Sequence, residues 1–195
     1  MQGYQSEKRY ISFGPANRYD LVFSLVWKND VPLKVRAFGW RCFWNMISTK
    51  DMLNNRDILP SSSNLLCAFC NAYPESPCHS FLDCQKVEGI WKDIAGWLGL
   101  SHAKNVGFKE SFLMWGSSCR NLKFKRGKEG SVWLAVLWSL WICRNDIFFN
   151  DVEWNARDVT WSCKALLLRW SYTGKITHSN YNFYDFSKNP LLYLS

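Results

Sequence analysis

Apolar residues recur at steps of three and four along most of this chain, the spacing that puts side chains on one face of an α-helix. The clearest case is QKVEGIWKDIAGWLGL, residues 85–100, where Val87, Ile90, Trp91, Ile94, Trp97 and Leu98 share a face and Gly99 supplies a stop. VPLKVRAFGWRCFWNMI (31–47) predicts an earlier helix, with Pro32 at its first position and Asp30 as its cap. Val35, Phe38, Cys42 and Met46 form its inward stripe, widened by Trp40, Trp44 and Ile47. TKDMLNNRDIL (49–59) reads as a short helix, with Asp51 near the positive N-terminal end. LVFSLVW (21–27) is apolar throughout and fits either a strand or the first turns of a helix.

The second half of the chain is more apolar. SFLMWG (111–116) is expected to be helical. Residues 129–149 predict the most apolar helix, with Val132, Trp133, Val136, Leu137, Leu140, Trp141 and Ile147 as its core face. VEWNARDVTWSCKALLLRWSY (152–172) follows as a last helix, with Val159, Cys163, Leu166, Leu167 and Trp170 inward. The expected fold is mostly α. Residues 1–20 form a lead-in without stable order, 21–100 a small helical domain, 101–171 a Trp-rich helical segment and 172–195 an irregular tail.

Chemistry concentrates in CAFCNAYPESPCHSFLDC, residues 67–84. Two residues separate Cys67 from Cys70, eight separate Cys70 from His79, and four separate His79 from Cys84. Three thiolates and an imidazole at such spacing can supply a tetrahedral zinc site. Pro74 and Pro77 make the insert a loop that returns the chain to the metal. Cys78 is an alternative third ligand. His79 is preferred because a histidine five residues ahead of a cysteine also ends nucleic-acid-binding zinc knuckles. Four protein ligands leave no position for water, so the ion is expected to be structural and to couple metal binding to folding. The plain alternative is a set of small buried thiols beside a surface histidine.

Charge changes the picture further. The 195 residues carry a formal net charge of +8, which favours polyanionic partners. The densest basic run, RNLKFKRGK (120–128), holds Arg120, Lys123, Lys125, Arg126 and Lys128 around Phe124. It would track phosphates while Phe124 stacks on a base, or else serve as a solvated loop. Lys34, Arg36 and Arg41 on the second predicted helix are further candidate contacts, as are Lys50, Arg56, Lys86 and Lys92. The longest apolar run, VWLAVLWSLWIC (132–143), is broken by Ser139 and closed by Arg144. It falls short of the roughly 18–20 residues of a membrane span, so no membrane partner is expected. No signal-peptide pattern opens the chain. With eight cysteines read as metal ligands and core thiols, the expected location is intracellular and nuclear.

Catalytic patterns are missing. No phosphate-binding glycine loop, dinucleotide fingerprint, serine-nucleophile elbow or zinc-protease helix motif occurs. His102 and His178 read as surface residues, and Cys119, Cys143 and Cys163 as core or incidental thiols.

Several motifs in order carry a resemblance: WKNDVPLKVRAFGWR (27–41), TKDML (49–53), Arg56, Cys67, Cys70, Glu75, Ser76, HSF (79–81), Cys84 and Trp91. Together they resemble the zinc-binding domain that follows the polymerase in plant non-LTR (LINE-type) retrotransposon reverse transcriptases. WICRNDIFF (141–149) is similar to the segment that comes next in those polyproteins, so the likeness spans roughly residues 21–150. It implies zinc on Cys67, Cys70, His79 and Cys84, a non-sequence-specific RNA or DNA partner, and a possible reverse-transcriptase polymerase partner. Neither the Tyr-x-Asp-Asp polymerase motif nor a ribonuclease H carboxylate set is present. The expectation is therefore a non-catalytic module rather than the parent's reaction. A protein-docking module with purely structural zinc is the alternative.

Overall fold

A helix with apolar side chains on every side has to be enclosed rather than laid against one neighbour, and residues 131–143 encode such a helix. The computed structural model describes residues 17–102, 107–122, 124, 127–171 and 183–194. Along these the chain forms α1 (Asn17–Lys28), α2 (Leu33–Phe43), α3 (Lys50–Asn54), α4 (Gln85–Leu98), α5 (Phe108–Asn121), α6 (Ser131–Asn150), α7 (Ala156–Ser171), α8 (Phe183–Lys188) and α9 (Leu191–Leu194). A single π-turn, His79–Asp83, precedes α4. Among the described residues the fold is helical, and β pairing is limited to one isolated bridge between Leu66 and Pro74.

α6 is the centre, with α2, α4, α5 and α7 packed on it. Val132 to Leu137 are all fully buried. By length and composition α6 could cross a membrane, but half of its most apolar window is buried inside this fold. α2 crosses it at Gly39, where an added Cβ would lie 2.5 Å from the Leu134 side chain. One continuous apolar cluster runs from Val22 in α1 to Leu194 in α9. That cluster has members on both sides of residue 100.

Several expectations need adjusting. LVFSLVW belongs to helix α1, with Val22 and Val26 buried. Pro32 sits one position before α2, as its N-cap, and no side chain caps that end. The Asp30 carboxylate lies instead 3.2 Å from the Lys128 ammonium. α2 stops at Phe43 and Asn45 turns left-handed at φ 52°, which leaves Met46 43% exposed rather than in the inward stripe. α4 matches its expected span and ends at Gly99, φ 69°. The tail, expected to be irregular, contains α8 and α9. Phe186 is fully buried beside Trp97, whose indole N–H donates to the Ser187 carbonyl at 2.7 Å. Two helices this short carry too few residues to show a period.

Candidate metal centre

The site starts from a tight local turn. The Cys67 N–H donates to the Tyr73 carbonyl at 2.7 Å, and the Glu75 N–H to the Leu65 carbonyl at 2.8 Å. Between them Asn71 takes φ 53° and its N–H bonds the Cys67 carbonyl at 2.9 Å. Cys67 and Cys70 are thereby brought to the same side of the turn. The amides of Cys70 and Phe69 face the Cys67 sulfur, with the Ser80 hydroxyl 3.8 Å away.

The other two ligands depend on the π-turn. The Cys84 N–H donates to the His79 carbonyl at 2.7 Å, a five-residue closure. In an α-helix, positions five apart diverge by about 140°; the wider turn brings His79 and Cys84 together. Cys84 then caps α4, and the amides of Lys86 and Val87 face its sulfur.

The ligand atoms of Cys67, Cys70, His79 and Cys84 all lie within 4.8 Å of one another. Tetrahedral zinc with Zn–S bonds of about 2.3 Å holds its ligand atoms about 3.8 Å apart, so the donor set and its size fit that ion. The Cys70 sulfur is 3.3 Å from His79 Nε2, which identifies the nitrogen that would bind. Cys78, the alternative ligand, stands outside this group, and burial pushes its thiol up to about 11. The hydrogen bond from Cys84 pulls the Cys67 thiol down to about 4, against burial and helped by the nearby amides. That same bond, with burial, pushes Cys84 well above the usual thiol range. Of the two hydrogen-bonded sulfurs, Cys67 is thus the one favoured as the thiolate.

Long-range contacts hold the knuckle in place. Glu75, in the loop between the ligand pairs, is 0% exposed and Arg144 of α6 only 2%. Arg144 Nε donates to Glu75 Oε1 at 2.6 Å and Nη2 to Oε2 at 3.2 Å, a bidentate ion pair. Lys50 donates to the Leu66 carbonyl at 2.8 Å, and the Phe69 ring meets Trp154 at 4.8 Å. The motif reading named Glu75 and Arg144 without pairing them. An arginine directly after the apolar run 132–143 was the available signal, since a charge is rarely buried unpaired.

The candidate nucleic-acid contacts are scattered. Lys34 is exposed, 5.5 Å above the Trp138 ring. Arg41, seven residues later on the same face of α2, donates to the Met46 carbonyl at 3.0 and 3.2 Å. Arg36 faces another way and donates to the Trp27 carbonyl at 2.9 Å. Lys123, Lys125 and Arg126 lie outside the described residues. Lys128 and Phe124 are each 6% exposed. Lys128 reaches the Trp170 carbonyl and Asp30, so it closes the fold instead of presenting a charge to phosphate. Phe124, in the core, has no free face for a base.

Comparison with known families adds one decisive observation. Residues 4–91 match the family model for zinc-binding in reverse transcriptase. No curated protein and no solved structure matches the chain. The matched stretch contains Cys67, Cys70, His79, Cys84 and Glu75 but stops within α4, well before Arg144. It begins inside the lead-in, earlier than the resemblance starting at residue 21 implied. It also leaves WICRNDIFF outside.

Proposed function

We propose that this chain is a zinc-stabilised, non-catalytic module that binds single-stranded RNA or DNA without sequence preference. Its origin would be a plant LINE-type reverse transcriptase, and its place of action the nucleus. The observation that carries the zinc half is the convergence of four ligand atoms within 4.8 Å, in a stretch of the matching family. A closed set of four protein ligands gives a structural rather than catalytic ion. The nucleic-acid half is supported by the net charge of +8 and by exposed Lys34, Arg41, Arg56 and Lys86.

Metal analysis of the purified chain should give one zinc per molecule, and Cys67→Ser should lose both the zinc and much of the helix signal in circular dichroism. Fluorescence anisotropy with single-stranded RNA at about 50 and about 300 mM salt tests the partner, since affinity should fall steeply between the two. No binding at the lower salt would remove that half of the proposal.

One feature favours a second reading, docking onto a polymerase domain. α6 and α7 enclose an open cleft of about 440 Å³ lined by Trp138, Ile142, Val152 and Leu166. Phe149 and Trp161 are exposed on the same two helices. Self-association that does not respond to salt, without RNA binding, would select this reading.

A further inference from the structure

A second cleft, of about 520 Å³, opens where the ends of α1 and α5 meet the turn leading into α6. Its floor is apolar and aliphatic, offered by half-buried Leu25 and Leu113, with Phe112 only 2% exposed among the lining residues; exposed Lys28 and Arg120 line the cleft as well. Both cations are exposed, and neither has a hydrogen bond or ion pair with the described residues. Each sits in the last turn of its helix. Lys128 and Asp30 nearby already hold each other. Glu129 also lines the cleft, but its carboxylate accepts the Gly127 N–H at 2.8 Å and is held against the turn.

The walls are built, not incidental. The Asp30 N–H donates to the Gly127 carbonyl at 2.7 Å. The Gly130 N–H donates to Asn29 Oδ1 at 2.8 Å, and Asn29 Nδ2 to the Leu25 carbonyl at 2.8 Å. A Cβ on Gly130 would meet Phe112 at 2.6 Å, so glycine lets the turn close on the floor. The cleft is far larger than a lone phosphate needs and within the range of small-ligand sites. An apolar floor beside two cations that have no partner among the described residues matches a phosphate joined to a flat ring with apolar faces.

We propose that this cleft binds one nucleotide unit of a single-stranded nucleic acid, its phosphate between Lys28 and Arg120 and one face of its base against Leu25 and Leu113. The assignment rests on the nucleic-acid reading above. It moves the phosphate contact from buried Lys128 to Lys28 and Arg120, and the base contact from buried Phe124 to Leu25 and Leu113.

Two measurements on the zinc-loaded full chain test it. In ¹⁵N-edited NMR, adenosine 5′-monophosphate should shift the amides of Gly116, Gly127 and Gly130 more strongly than inorganic phosphate does. Equal shifts with phosphate would leave a bare anion site and overturn the proposal. In anisotropy with a single-stranded RNA of about 12 nucleotides, Lys28→Glu with Arg120→Glu should weaken binding about tenfold or more. The slope of affinity against salt should flatten by about 0.7, the loss of one phosphate contact. Lys34→Glu reports the rest of the basic surface. RNA binding unchanged in the double variant would overturn the cleft and spare the nucleic-acid reading. Binding of the mononucleotide without RNA would do the reverse, and binding of neither would overturn both.

Discussion

Glu75 and Arg144 show what a single residue contributes. Moving both charges out of water costs several kcal/mol per ion, which the bidentate pair of N–H···O bonds, at 2.6 and 3.2 Å, offsets. Removing one partner leaves the other charged and buried, so Arg144→Leu should lower unfolding free energy by about 3–5 kcal/mol in urea titration. Glu75→Gln combined with Arg144→Met should recover part of that loss, and Arg144→Leu should also release zinc faster to a chelator. The ligand sulfurs make a separate prediction about pH. Cys67 is depressed to about 4, so its contribution to the metal-free fold is fully present only above the ordinary thiol range. That contribution erodes as pH falls from there through about 4. Cys84 is raised, so its contribution is present below the ordinary range and lost as pH climbs through its folded value. Zinc binding near pH 7 must strip a proton from Cys84. Calorimetry in two buffers of different ionisation heat should therefore detect proton release, and zinc occupancy should fall on acidification towards pH 4. Identical heats in the two buffers would contradict the assignment.

At the scale of elements, the helices were the most legible part of the chain and their ends the least. α4 reads directly from its period because one face is buried along its whole length. Asp30 fits a capping position as well as it fits an ion pair, and nothing local distinguishes the two. The π-turn is encoded in the five-residue step from His79 to Cys84, yet that step is recognised as a turn only once both must reach one ion. Crossing geometry is equally hidden. Gly39 allows α2 to approach α6, and Leu134, which a new side chain would strike, is itself fully buried. Gly39→Val should cost about 1–3 kcal/mol and lower the thermal midpoint. A midpoint equal to the wild type's would mean the crossing tolerates a larger separation.

For the whole molecule, the knuckle at 67–84 and the Trp-rich segment share one apolar core. Phe38 of α2 packs at once on Phe81 beside the knuckle and on Trp138 and Trp141 of α6. A chain cut after Leu100 would expose those rings and leave Glu75 without Arg144. Such a fragment should lack a cooperative unfolding transition even with zinc present, whereas the full chain should show one. A sharp transition in the fragment would restore the boundary near residue 100. Charge acts at this scale too. A net +8 spread over a helical surface gives steering rather than specificity, and only a built cleft such as the one at Lys28 and Arg120 can select a chemical group.

Helical class and the four residues that converge as candidate metal ligands could be read from the residues in order, because both are local. Periodicity records which faces are apolar, and the ligands fall within eighteen consecutive residues, so a short loop closes the site. Long-range pairing was another matter. Arg144 meets a carboxylate 69 positions away, and Lys128 reaches a carbonyl 42 positions away. In sequence, Lys128 belongs to a basic run like any solvated one. Folding buries it and leaves Lys28 and Arg120 exposed, because the cost of a charge depends on the neighbours that surround it in space.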